Sequence, residues 1–148
     1  MALPSAPKVM LVEDDPQFVY LMQRYARSSG CQLVHVDSVG EAVSLVHSEL
    51  PDMILLDLAL NGADGWQALQ SLKADPVASK IPVFICSASD VATRGWEDQA
   101  DGCLLKPVMY EDFLAALAAT SHHRASAATV PHVPRVPGAA APGGELAT

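Results

Sequence analysis

Five short apolar runs recur along the chain, and each is followed by a stretch with helical character. The runs are Lys8–Val12, Leu33–Val36, Met53–Leu58, Ile81–Cys86 and Cys103–Leu105. Between them, apolar residues fall at helical spacing: Phe18, Leu21, Met22 and Tyr25 behind Pro16, then Val39, Ala42, Val43 and Val46 behind Ser38. Trp66, Leu69 and Leu72 give a third helix beginning near Asp64 and stopping at Asp75-Pro76. A weak, short fourth is expected over Val91–Gln99, carrying Trp96, and Tyr110, Phe113, Leu114 and Leu117 mark a last one. Strand–helix alternation of this kind predicts right-handed crossovers and a parallel sheet covered on both faces. Met-Ile-Leu-Leu at 53–56 has no polar position, as expected of a strand buried on both sides.

The end signals agree. Pro16 suits a first helical position, because its missing N–H has no partner there in any case. Ser38 with Glu41 has capping-box spacing, and Ser28-Ser29-Gly30 stops the first helix. Residues 1–7 read as a flexible N-terminus with no apolar core of a secretory signal. From residue 121 to residue 148, Ala, Pro, Val, Gly and Thr dominate and periodicity vanishes, which predicts a disordered tail. One folded domain over 8–120 is therefore expected, with no second domain behind it.

Charge and cysteine usage narrow the function. A formal net charge of −8 argues against binding the phosphate backbone of a nucleic acid. No apolar run reaches the roughly 18 residues needed to cross a bilayer. Cys31, Cys86 and Cys103 have no metal-ligand spacing, and the chain is expected in a reducing cytoplasm. His35, His47, Trp66 and Trp96 read as ordinary structural residues, and His122 and His123 lack partners for a metal site.

The chemistry collects where strands end. The first run ends in Glu13-Asp14-Asp15, the third in Asp57, the fourth in Ser87 and the fifth in Lys106. In a parallel sheet these ends share one edge, where open α/β folds put their ligands. Taken singly, each has a bland reading: a solvated loop, a turn or helix cap, a turn hydroxyl, a strand exit. Together they bring carboxylates close enough to repel by roughly 4 kcal/mol at about 4 Å and an effective dielectric near 20. A proton or a cation must relieve that repulsion, and hard oxygen ligands favour Mg²⁺. With a cation present, Asp57 can act as a nucleophile toward a phosphoryl group, Lys106 can neutralise its oxygens and Ser87 can donate to one of them.

Val12-Glu13-Asp14-Asp15, Leu55-Leu56-Asp57-Leu58 with Asp64-Gly65, Cys86-Ser87-Ala88 and Leu105-Lys106-Pro107 resemble the receiver domain of two-component response regulators, of the single-domain chemotaxis-regulator type, over about residues 8–120. The resemblance implies a flavodoxin-like, doubly wound five-stranded parallel sheet of order 2-1-3-4-5 with five helices, the fourth shortened. It also implies Asp57 as phosphoacceptor, with Lys106 and Ser87 as its helpers. Mg²⁺ would be held by Asp14, Asp57 and the Ala59 backbone carbonyl directly and by Glu13 through a water. Asp15 is expected to tune the field and cap the first helix. The implied donor is a phosphohistidine on a histidine kinase or phosphotransfer protein, and the output a contact with a downstream protein.

Three positions depart from the family pattern. Cys103 stands where an aromatic is usual, three residues before the lysine; Asn61 replaces a frequent proline; and the stretch from Ser87 to Lys106 is about three residues, nearly one helical turn, shorter than usual. The expected function is a stand-alone receiver in a phosphorelay, itself no turnover enzyme. The alternative is a constitutive receiver-like scaffold, motivated by Cys103 and the shortened stretch. A phosphatase passing through an aspartyl-phosphate is disfavoured, because the position two after Asp57 is Ala59 and offers no acid–base group.

Overall fold

The five apolar runs become five parallel strands: β1 (Lys8–Val12), β2 (Gln32–Val36), β3 (Met53–Asp57), β4 (Val83–Ser87) and β5 (Gly102–Leu105). The structure is a computed structural model that describes residues 6–59, 65–88, 95 and 99–125, with side chains as far as Thr120. Strand order is β2-β1-β3-β4-β5, the doubly wound order. Among the described residues four helices cover the sheet: α1 (Pro16–Ser29), α2 (Val39–Glu49), α3 (Gly65–Ala74) and α4 (Tyr110–Ala125). The expected helix over Val91–Gln99 lies outside the described residues, Gly95 and Gln99 excepted, as do Asn61, Asp64 and Trp96.

Strand pleating sends alternate residues to two cores. Met10, Val12, Ile54, Leu56, Val83 and Ile85 meet α2 and α3 through Ala42, Val46, Leu69 and Leu72. Val9, Leu11, Met53, Leu55, Phe84 and Cys86 meet α1 and α4 through Phe18, Val19, Met22, Phe113 and Ala116. All five residues of β3 are buried, so the run that carries Asp57 is fixed from both sides. Helix ends follow the expected chemistry. Asp15 caps α1 by accepting from the Gln17 amide, and Gly30 closes it in the left-handed region at φ 78°. Ser38 caps α2 by accepting from the Glu41 amide.

Several details differ from the sequence reading. β4 begins at Val83 and ends on Ser87 rather than spanning Ile81–Cys86. A 3-10 turn at Ala78–Lys80 was not signalled by periodicity; Asp75 nucleates it by accepting from the Val77 and Ala78 amides. In α4 Asp112, Phe113, Ala116 and Thr120 are buried, while Leu114 is 39% exposed. The inward stripe thus follows i, i+3, i+7 from Phe113, and Leu114 sits about 100° away from it. The same helix continues to Ala125, past residue 120 where the sequence reading ends the domain. Neither Pro nor Gly interrupts Ser121–Ala125, so nothing in the backbone stops it there.

Candidate functional site

Strand order reverses at β1: β2 lies on one side and β3 on the other. Such a switch point opens a crevice at the carboxyl ends of the strands. Register then brings the predicted residues together. Val12 pairs with Leu56, so the residues after each, Glu13 and Asp57, lie side by side. Asp57 pairs with Cys86, so Ser87 is next along, and Ser87 pairs with Leu105, so Lys106 follows. The Lys106 amide donates to the Ser87 carbonyl at 2.8 Å, extending the ladder into the site.

Glu13, Asp14 and Asp57 each offer a carboxylate oxygen within 4.8 Å of the others. Glu13 is 1% exposed and Asp57 4%, whereas Asp14 is open to solvent. The Lys106 ammonium lies 3.2 Å from Glu13 Oε1 and 3.5 Å from Asp57 Oδ1. One ammonium against three carboxylates leaves the crevice negative. Burial pushes the Glu13 carboxyl up to about 7 against the pull of Lys106, and the Asp57 charge adds to the rise. Burial also weakens the charge on Lys106, but Glu13 and Asp57 outweigh it and hold the ammonium above its usual pKa. A hard cation at these oxygens relieves the same repulsion that Glu13 otherwise relieves with a proton, so the donor set fits a divalent ion.

Other contacts order the loops. The Ala59 amide donates to Asp57 Oδ1 at 3.0 Å, fixing the acid's rotamer, and the Asp15 amide donates to Glu13 Oε2 at 3.3 Å. Ser87 is buried at the end of β4. Cys103 is 5% exposed and packs into the α2–α3 core, three residues before Lys106 and opposite Ile85 in the β4–β5 register. Two neighbours were not found from sequence. His35, at the end of β2, shares a 2.7 Å hydrogen bond with the Glu13 carbonyl. The Phe18 ring lies under the Lys106 ammonium, 4.4 Å from nitrogen to centroid. No periodicity signal separates Phe18 from its core neighbours; only the fold shows which of them reaches the lysine.

A family model described as "Response regulator receiver domain" matches residues 9–118. The chain belongs to the response regulator receiver family. The receiver is 31% identical over 113 residues to Protein PilH of Pseudomonas aeruginosa, covering 74% of this chain and 93% of PilH. To the transcriptional regulatory protein PrrA of Mycobacterium tuberculosis it is 30% identical, covering 84% of this chain and 54% of PrrA, so it spans about half of that protein. The fold matches the receiver domain of sensor histidine kinase PA1611 of Pseudomonas aeruginosa, with TM-score 0.66, 24% identity and coverage of 76% and 95%. That crystal structure has a magnesium ion coordinated in its active-site cleft. Among the described residues of this receiver, no helix is long and apolar enough to cross a membrane.

Proposed function

We propose that this receiver accepts a phosphoryl group on Asp57 from a phosphohistidine of a histidine kinase or phosphotransfer protein. One Asp57 carboxylate oxygen attacks phosphorus, a P–O bond forms, the P–N bond breaks and the imidazole leaves with its electron pair. The observation that carries this reading is Lys106 bridging the buried Glu13 and Asp57 beside an exposed Asp14, because this excess of negative charge is relieved by a divalent cation that can in turn receive a phosphoryl group. Mg²⁺ would be held by Asp14, Asp57 and the Ala59 carbonyl, with Glu13 acting through a water, and would supply charge neutralisation to the incoming phosphoryl oxygens. Lys106 would move from Glu13 to those oxygens, and Ser87 would donate to one of them. Asp57's rotamer is held by the Ala59 amide, which donates to Oδ1.

The receiver would act as a stand-alone cytoplasmic module and signal by protein contacts. PilH, of which the chain covers 93%, is itself little longer than the matched receiver, which supports that reading. Phosphorylation adds about −1.5 to −2 charges beside Ser87 and Lys106, enough to bias two arrangements of the surrounding loops. A second reading, a scaffold without a switch, is favoured by one observation: Cys103 is buried in the core and has no ring to swing.

Incubation with Mg²⁺ and acetyl phosphate, followed by intact mass, tests the first reading. One phosphoryl increment is expected on the wild type and none on Asp57→Asn. A folded wild type that gains no increment beside a competent control receiver contradicts it. An increment without amide shifts beyond the crevice in NMR spectra would favour the scaffold.

A further inference from the structure

We infer that Phe18 is a positioning residue for this receiver's phosphoryl transfer, its ring face holding the Lys106 ammonium at the strand edge; this rests on Asp57 being the phosphoacceptor. The ring is 7% exposed and stands in the first turn of α1, which Asp15 caps and Pro16 opens. The ammonium lies 4.4 Å from its centroid. Glu13 at 3.2 Å and Asp57 at 3.5 Å are its charged neighbours, so the ring supplies a further side of the cage.

The chemistry of that side matters. A lysine stem is long and flexible, and Lys106 keeps 21% of its side chain exposed, so solvent competes for its head group. The negative face of a phenyl ring attracts an ammonium without adding charge. A further carboxylate in its place would hold Lys106 equally well, but it would compete for the cation and repel the phosphoryl group. Attraction to a ring face is also weakly directional. The ammonium can therefore slide from Glu13 toward a phosphoryl oxygen on Asp57 while keeping the ring beneath it. An aliphatic side chain of similar size would fill the same core volume without this attraction.

Two substitutions and a fluorinated series separate the ring's electrostatics from its packing. Phe18→Leu keeps an apolar side chain, Phe18→Tyr keeps the ring, and site-specific mono-, di- and trifluorophenylalanine at position 18 weaken the ring quadrupole with little change of shape. The rate of Asp57 phosphorylation by acetyl phosphate with Mg²⁺ is expected to fall roughly three- to thirty-fold in Phe18→Leu, to stay within about twofold in Phe18→Tyr, and to decline stepwise with fluorine count. Independently of phosphorylation, the ε-protons of Lys106 should show ring-current shifts that disappear in Phe18→Leu. Phe18→Leu reacting at the wild-type rate, a flat fluorine series, or unshifted Lys106 ε-protons in the wild type would each overturn the inference. A wild type that gains no phosphoryl group at all overturns the underlying reading instead, and the ring-current shift then stands as a packing contact only. Should Phe18→Leu fail to fold, the fluorinated series still decides.

Discussion

With its side chain 1% exposed and its carboxyl pushed up to about 7, Glu13 sets how the receiver responds to pH. A carboxyl whose folded pKa lies above its unfolded value binds its proton more tightly when folded. Its stabilising contribution is therefore complete below about 4.5 and lost as the pH rises through about 7. In EDTA, urea unfolding of the wild type should lose stability relative to Glu13→Gln across that window, and equal pH slopes for the two would refute the assignment. Mg²⁺ competes with the same proton, so its affinity should climb from pH 6 to pH 8 by more than in Glu13→Gln, as titration calorimetry can read. At this scale the sequence named Glu13, Asp57, Ser87 and Lys106, because each ends an apolar run. It missed His35 and Phe18, since both touch the site through tertiary neighbours rather than through any spacing along the chain.

Elements carry the site only if the turns between them are tight. Gly65 opens α3, and its amide donates to the carbonyl of Leu58, the residue after β3, at 3.0 Å. A Cβ there would collide with the Leu58 backbone, which cannot give way as the end of a flexible side chain would. Gly65→Ala should therefore destabilise the receiver by about 1–3 kcal/mol and slow Asp57 phosphorylation through the displaced Ala59 amide. Chemical denaturation with an acetyl phosphate assay checks both, and a loss under about 0.5 kcal/mol would contradict the clash. Element type was readable from periodicity, and both caps at Asp15 and Ser38 from residue chemistry. Less readable were Leu114, which fits the helical stripe in spacing yet faces solvent, and the 3-10 turn at Ala78–Lys80. The first depends on which of two adjacent apolar residues the sheet accepts. The second depends on one aspartate capping two amides, a signal carried by Asp75-Pro76 rather than by any apolar pattern.

For the whole molecule, two cores on opposite faces clamp β3 while leaving its carboxyl end at the switch point. Rigidity beneath and an open edge above suit the phosphoacceptor role proposed for Asp57: fixed geometry for the acid, with access for a donor. Sheet order followed from strand–helix alternation together with the family resemblance, and the structure bears it out. How phosphorylation would reach the far side of the domain was not legible, because Cys103 stands where the family usually has an aromatic and the stretch after Ala88 falls largely outside the described residues. The most direct measurement is the site of modification itself. Receiver treated with Mg²⁺ and acetyl phosphate, denatured and reduced with borohydride, should yield homoserine in place of aspartate at position 57 in the peptide map. Homoserine elsewhere, or unmodified Asp57 in a protein that has gained a phosphoryl group, would contradict Asp57 as the acceptor.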